Sequence, residues 1–218
     1  MIIKYASVPG SAIGGRAKRP PPKAGSGLLP YGSEGESMLK ITEIKKEAMA
    51  VSNWSGGTTT EIMIWPRGAV YAERDFLFRI STAKVELDES DFTPLPDYNR
   101  LIASIEGGMR LTHALKSGEE TAEVRPLSTV HRFSGGVPTH CVGRARDLNL
   151  MLRKGKAEGE LRFLRDGEQI VLELQPNEFA LVYNIDEGCA RFIETDEPDY
   201  LVFMAEGREA LFTVRVND

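Results

Sequence analysis

From residue 38 onward the chain is written in short segments whose apolar and polar residues alternate, each closed by a turn signal, and this spacing constrains its fold more than any other feature. Side chains of a strand point alternately to opposite faces, so a period of two is the mark of β structure. In the segment 76–85, Leu77, Arg79, Ser81, Ala83 and Val85 share one face, and Phe76, Phe78, Ile80 and Thr82 share the other. Apolar residues stand on both faces, which predicts a strand buried on both sides. Further strands are expected at 101–105, 147–152, 160–164, 170–174, 179–183, 200–204 and 211–216, punctuated by Gly107-Gly108, Asp166-Gly167 and Glu187-Gly188. Many short strands at near-regular spacing, with only short helices between them, predict an all-β sandwich or barrel.

The first 37 residues do not share this pattern. They hold five of the 12 prolines and seven of the 21 glycines, with the run Pro20-Pro21-Pro22. Such composition predicts a disordered tail. Order is expected to begin at Met38-Leu-Lys-Ile, and Met38 is itself a candidate initiator. Glu34-Gly35-Glu36, just before it, can be encoded by a purine-rich stretch like a ribosome-binding site, which makes 1–37 a segment that need not belong to the native protein.

The formal charge of −5 is unevenly spread, with five Lys/Arg against two acids in the tail and 22 against 30 in the remainder. An acidic body argues against a nucleic-acid partner, which would need a basic stripe. The chain has neither an apolar run long enough to span a bilayer nor a secretory h-region, so a cytoplasmic protein without a membrane partner is expected. Cys141 and Cys189 are too few for a disulfide framework.

The stretch from Asp91 to Gly107 resembles the first motif of a metal-binding cupin, a small β-barrel, with the metal ligands replaced. Counting back from Gly107 puts Arg100 in place of the motif's glutamate, and Pro94 and Pro96 in place of its two histidines. A guanidinium repels a divalent cation and forms bidentate pairs with carboxylates or phosphates. In the second half, Pro176 precedes a segment like the second cupin motif, with Leu181 at the position of its histidine. No metal and no other cofactor is therefore expected. The implied architecture is a bicupin, two RmlC-like jelly-roll units in one chain, with boundaries at 38–125 and 126–218.

Four further words, in order, identify a family. Trp54-Ser-Gly56-Gly57-Thr58-Thr59-Thr60-Glu61-Ile62, Arg74-Asp-Phe76-Leu-Phe-Arg79-Ile-Ser81-Thr-Ala83, Phe92-Thr-Pro-Leu-Pro-Asp-Tyr98-Asn-Arg100 and Asp147-Leu-Asn149-Leu-Met151-Leu-Arg153 are similar to those of the HutD/Ves family. Asp97 stands where that family usually has glycine, and Phe133-Ser134-Gly135-Gly136 lacks its acidic neighbours, as in a divergent branch. The resemblance implies a bicupin associated with bacterial histidine utilisation, binding a small pathway metabolite in a supporting or regulatory part.

The chemistry then rests on a few residues. Arg79, with Ser81 on the same strand face, and Arg100 are expected to clamp a carboxylate such as N-formylglutamate or formiminoglutamate in the first barrel. The competing arrangement is an internal salt bridge of Arg79 with Glu61 or Asp75. Trp54, Gly56, Gly57, Thr58 and Thr59 offer backbone N–H groups and hydroxyls to an anion, or else form a strand bulge around a packed tryptophan. Asp147 and Asn149 share a strand face and are expected to line a second cavity or to bond a neighbouring loop. His113, His131 and His140 have no common ligand spacing, and Cys141 beside His140 would point to the opposite face of a strand. No catalytic residue is assigned. A metal-independent isomerase or hydrolase would require Tyr98, Glu61 or His113 to move protons, and a homodimer with side-chain-filled barrels and no specific ligand is the remaining alternative.

Overall fold

The computed structural model describes residues 3–4 and 38–217. Its strands are β1 (Ile3–Lys4), β2 (Leu39–Ile44), β3 (Ala50–Trp54), β4 (Gly57–Trp65), β5 (Phe78–Val85), β6 (Glu89–Asp91), β7 (Tyr98–Glu106), β8 (Met109–Leu115) and β9 (Gly118–Val124). There follow β10 (Val130–Ser134), β11 (Thr139–Val142), β12 (Ala145–Arg153), β13 (Ala157–Leu164), β14 (Gln169–Leu174), β15 (Glu178–Asn184), β16 (Ala190–Thr195), β17 (Asp199–Met204) and β18 (Glu209–Val216). Helix among the described residues is confined to two 3₁₀ turns, Lys46–Ala48 and Tyr71–Glu73. The expected tail lies outside the described residues, apart from Ile3 and Lys4, which pair with Leu172 and Val171.

Four antiparallel sheets form two units. In the first, a six-stranded sheet ordered β10-β7-β12-β5-β4-β3 lies over a four-stranded sheet ordered β6-β11-β8-β9. In the second, the five-stranded order is β13-β18-β15-β16-β2, and the smaller sheet is β1-β14-β17. The boundary expected at 125/126 needs correction, because β12 pairs with β5 on one side and β7 on the other, in the middle of the first sheet. Residues 130–153 therefore belong to the first unit, and β2 belongs to the second through its pairing with β16.

The sheet with β5, β7 and β12 at its centre is buried on both faces, as the apolar residues on both faces of 76–85 require. Phe78, Ile80, Leu101, Ala103, Ile105, Leu148, Leu150 and Leu152 point away from the first unit's interior. They pack on Phe179, Leu181, Tyr183, Phe192 and Phe212 of the second unit, making one core shared by the two. Trp65 sits within it, its ring 4.7 Å from Phe179 and 6.0 Å from Phe192. Leu181 therefore faces the first unit, whereas its neighbours Ala180 and Val182 face the interior of the second, which is packed with Ile170, Leu172, Leu201 and Phe203.

A register shift between Glu61 and Met63 marks a bulge in β4. It puts the consecutive residues Ile62 and Met63 both in the shared core while Glu61 stays on the opposite face with Arg79. Gly107, the motif glycine, has φ +70°, and a Cβ there would lie 2.2 Å from the Arg144 carbonyl oxygen. Glycine is required because two backbones touch.

Candidate functional site

The inner face of the first unit's large sheet is ordered in rows by strand register. Met151 of β12 stands between Arg79 and Arg100, Asn149 between Ser81 and Ile102, and Asp147 between Ala83 and Ser104. These side chains open onto a cavity of about 270 Å³. Tyr71, Phe92 and Thr93 complete the wall, and Ser52, Trp54 and Thr59 of the β3–β4 hairpin lie at one side. Asp147 and Asn149 thus belong to the same cavity as the two arginines, not to a second one. Their strand lies between β5 and β7, a pairing that local sequence does not reveal.

The two arginines are held differently. Arg79 donates from Nε to Glu61 Oε2 at 2.6 Å and from Nη1 to Ser81 Oγ at 3.3 Å, with its guanidinium 4.2 Å from the Tyr71 ring centroid. The internal salt bridge weighed for Arg79 is therefore present, made by Glu61, while Asp75 pairs with Arg153. Arg100 is only 6% exposed and has no carboxylate within ion-pair distance among the described residues. Its guanidinium lies 4.7 Å from the Phe92 ring and 5.3 Å from the Phe133 ring, and its Nε has no hydrogen-bond partner. Burial pushes its pKa down to about 10, opposed by the phenol of Tyr71 and the carboxyl of Asp147.

Asp147 is equally enclosed. Burial raises its pKa to about 7, against the pull of Arg100 and of the Ala83 backbone. Asp147 Oδ1 and Asn149 Oδ1 are both buried without a partner among the described residues. A site with an unpaired buried guanidinium on one side and two unpaired buried oxygens on the other is incomplete by itself, since buried polar groups are ordinarily bonded.

The sequence profile of the HutD family matches residues 46–211, most of the chain. The chain belongs to the HutD family. Among solved structures, HutD from Pseudomonas fluorescens SBW25 is 23% identical with a TM-score of 0.65, covering 82% of this chain and 100% of that one. A conserved protein of unknown function from Pseudomonas aeruginosa PAO1 is 21% identical with a TM-score of 0.67, at the same coverages. A vicilin from Solanum melongena, 9% identical, superposes with a TM-score of 0.51 over 80% of this chain and 85% of its own. These likenesses establish the fold as the all-β bicupin. No curated protein matches in sequence.

The HutD opening motif is a hairpin in this chain. Trp54 pairs with Gly57 across the turn, and a Cβ on Gly57 would lie 1.9 Å from the Lys84 carbonyl oxygen, so this glycine lets β4 approach β5. A Cβ on Gly56 would lie 2.1 Å from the Trp54 ring. Of the motif, Trp54 and Thr59 reach the cavity, Glu61 acts through Arg79, and Gly56, Gly57 and Thr58 form the turn and strand that carry them.

Pro94 and Pro96 lie in the loop before β7. Among the described residues no group of three or more His, Cys, Asp or Glu is close enough to hold a metal ion, and no helix is long and apolar enough to cross a membrane.

Sequence reasoning missed that His113 and His131 meet. Thr139 Oγ1 donates to the Val137 carbonyl at 3.0 Å, so it accepts from His113 Nδ1–H at 2.8 Å. His113 Nε2 is then the acceptor for His131 Nε2–H, also at 2.8 Å. Burial lowers both pKa values, and next to Arg100 the His131 ring stacks with Phe133 while the His113 ring meets it at a tilt. The pair joins β8 to β10, strands of different sheets, and no local spacing signals it. The roles of Tyr71, Phe92 and Phe133 around the guanidiniums were also missed, although Phe92 lies within the stretch that singled out Arg100.

Proposed function

We propose that this HutD-family chain binds a small carboxylate metabolite of histidine catabolism, N-formylglutamate or a close relative, in the first-unit cavity without a metal, in an accessory or regulatory role. The observation that carries this reading is Arg100, a guanidinium buried between two aromatic rings at a cavity wall with no carboxylate among the described residues paired to it. Leaving such a cation unpaired costs stability, and an incoming carboxylate supplies the missing partner. Arg79, fixed by Glu61 and Ser81, adds a second positive charge to the same row. The cavity volume suits a small metabolite. Family membership supports the link to histidine utilisation, and a ligand of this kind is consistent with a cytoplasmic role.

The test is thermal unfolding of the full chain, after chelator treatment, with histidine, urocanate, formiminoglutamate, N-formylglutamate, glutamate or formate. A ligand at a hundredfold its Kd stabilises by about 2.7 kcal/mol, roughly 5–11 °C for a chain of this size. The expected result is a selective shift that Arg100→Ala abolishes. A shift that survives this substitution, or none with any of the six, overturns the reading.

One observation favours turnover as a second reading. Tyr98 donates to the Arg74 and Phe76 carbonyls, Glu61 is held by Arg79, and His113 by Thr139 and His131, so each residue first considered for proton transfer is already engaged. Asp147 is an enclosed acid that titrates near neutrality and lines the cavity. Product formed from one of these metabolites in chelator, and lost in Asp147→Asn, would decide for an enzyme.

A further inference from the structure

The rows on the inner face of the sheet separate two kinds of chemistry. The row Arg79–Met151–Arg100 presents cations. One step along the same face stands Asn149, and a second step on stands Asp147. Each step is two residues of strand, about 7 Å. Both side chains are more than nine-tenths buried, and each keeps one oxygen without a donor.

A ligand that is only a carboxylate satisfies the arginine row and nothing else. It leaves Asn149 Oδ1 and Asp147 Oδ1 bare while adding an anion to an enclosed space that already holds a carboxyl. A ligand that also carries an N–H satisfies both ends of the cavity. Sites built to hydrogen-bond a polar group reject analogues lacking it far more strongly than apolar pockets reject a missing methylene. The neighbouring hydroxyls do not supply the donor: Ser104 donates to the Gly107 carbonyl at 2.6 Å, and Ser81, which accepts from Arg79 and keeps its own hydrogen, makes no bond to Asn149 Oδ1 or Asp147 Oδ1.

We propose that the ligand of this cavity bears an N–H donor (amide, amidine, imidazole or ammonium) a few bonds from its carboxylate, and that Asn149 with Asp147 reads that N–H. This rests on the carboxylate reading above and narrows it. Simple mono- and dicarboxylates are then poor ligands whatever their length, and Asn149 and Asp147 are specificity residues rather than part of the anion clamp.

The experiment compares two probes of the same shape that differ by one group, N-acetylglycine and 4-oxopentanoate, in which CH₂ replaces N–H. Both are titrated calorimetrically into the full chain, into Asn149→Leu and into Arg100→Ala. N-acetylglycine is expected to bind at least tenfold more tightly than 4-oxopentanoate. In Asn149→Leu the ratio should fall below about threefold while 4-oxopentanoate keeps its affinity, and in Arg100→Ala both should be lost. Equal affinity of the two probes, both dependent on Arg100, overturns the N–H proposal and leaves the carboxylate reading standing. No binding of either probe overturns both. Should Asn149→Leu fail to fold, the ratio measured on the unmodified chain still decides the proposal.

Discussion

At the scale of single residues, the first unit holds its charges in two different conditions. Arg79 belongs to a closed set, bonded to Glu61 and Ser81 and lying over Tyr71. Arg100 and Asp147 are enclosed without such a set, and the cost of that arrangement appears as pH dependence. Burial keeps Asp147 protonated in the folded chain up to about pH 7, whereas in the unfolded chain it releases its proton near the ordinary value of about 3.9. Between these two values the folded state holds a proton that the unfolded state has lost, so this group lowers stability as pH rises, by at most about 1.4 kcal/mol per pH unit. Asp147→Asn removes the titration. Its stability relative to the unmodified chain, measured by urea unfolding, should be greater at pH 8 than at pH 4 by roughly 2–4 kcal/mol. A difference that stays flat across this range would show that Asp147 ionises normally in the folded state.

At the scale of elements, the β3–β4 hairpin shows why two adjacent glycines are not equivalent. The Cβ of an alanine at Gly57 would strike the Lys84 carbonyl, part of a paired backbone, at φ +149°. At Gly56 it would strike the Trp54 ring, a side chain 40% exposed and free to turn. Gly57→Ala should therefore cost about 2 kcal/mol or more in chemical denaturation, and Gly56→Ala less than about 1 kcal/mol. Equal costs would mean that β4 does not need its close approach to β5. The same contrast marks how far the sequence could be read. The alternation of Arg79, Ser81 and Ala83 needed only a period of two, and Gly107 needed only its spacing from Arg100, so both were legible. That Asp147 and Asn149 face these residues depends on β12 inserting between β5 and β7, a pairing across more than 40 positions of chain. The meeting of His113 with His131, 18 positions apart, was hidden because β8 and β10 lie in different sheets. The boundary at 125/126 followed from the repeated motif grammar, which says nothing of which sheet a strand will join.

At the scale of the whole molecule, the shared core makes the two units one cooperative body. Leu150, fully buried at its centre, packs the first unit's sheet against the aromatic side chains of the second. Leu150→Ala should cost about 2–5 kcal/mol, and the variant should still unfold in a single transition. Trp65 fluorescence, reporting from the shared core, and far-UV circular dichroism, reporting on all strands, are expected to coincide along the urea curve. Two separated transitions would show that the units stand independently.

The strand exchange has one more consequence, for a chain made from its N-terminus onward. Lys40 of β2 bonds Asp196 just after β16, 156 positions later. During synthesis β2 therefore emerges long before its partner, and the first unit can complete its sheets, as far as Arg153, while β2 still waits unpaired beside it. The last strands to be made must then close around a segment already present, like a buckle reaching its strap. A cut between Arg153 and Ala157 would not yield two miniature proteins, since the later piece would lack its edge strand and the earlier would carry one it cannot use.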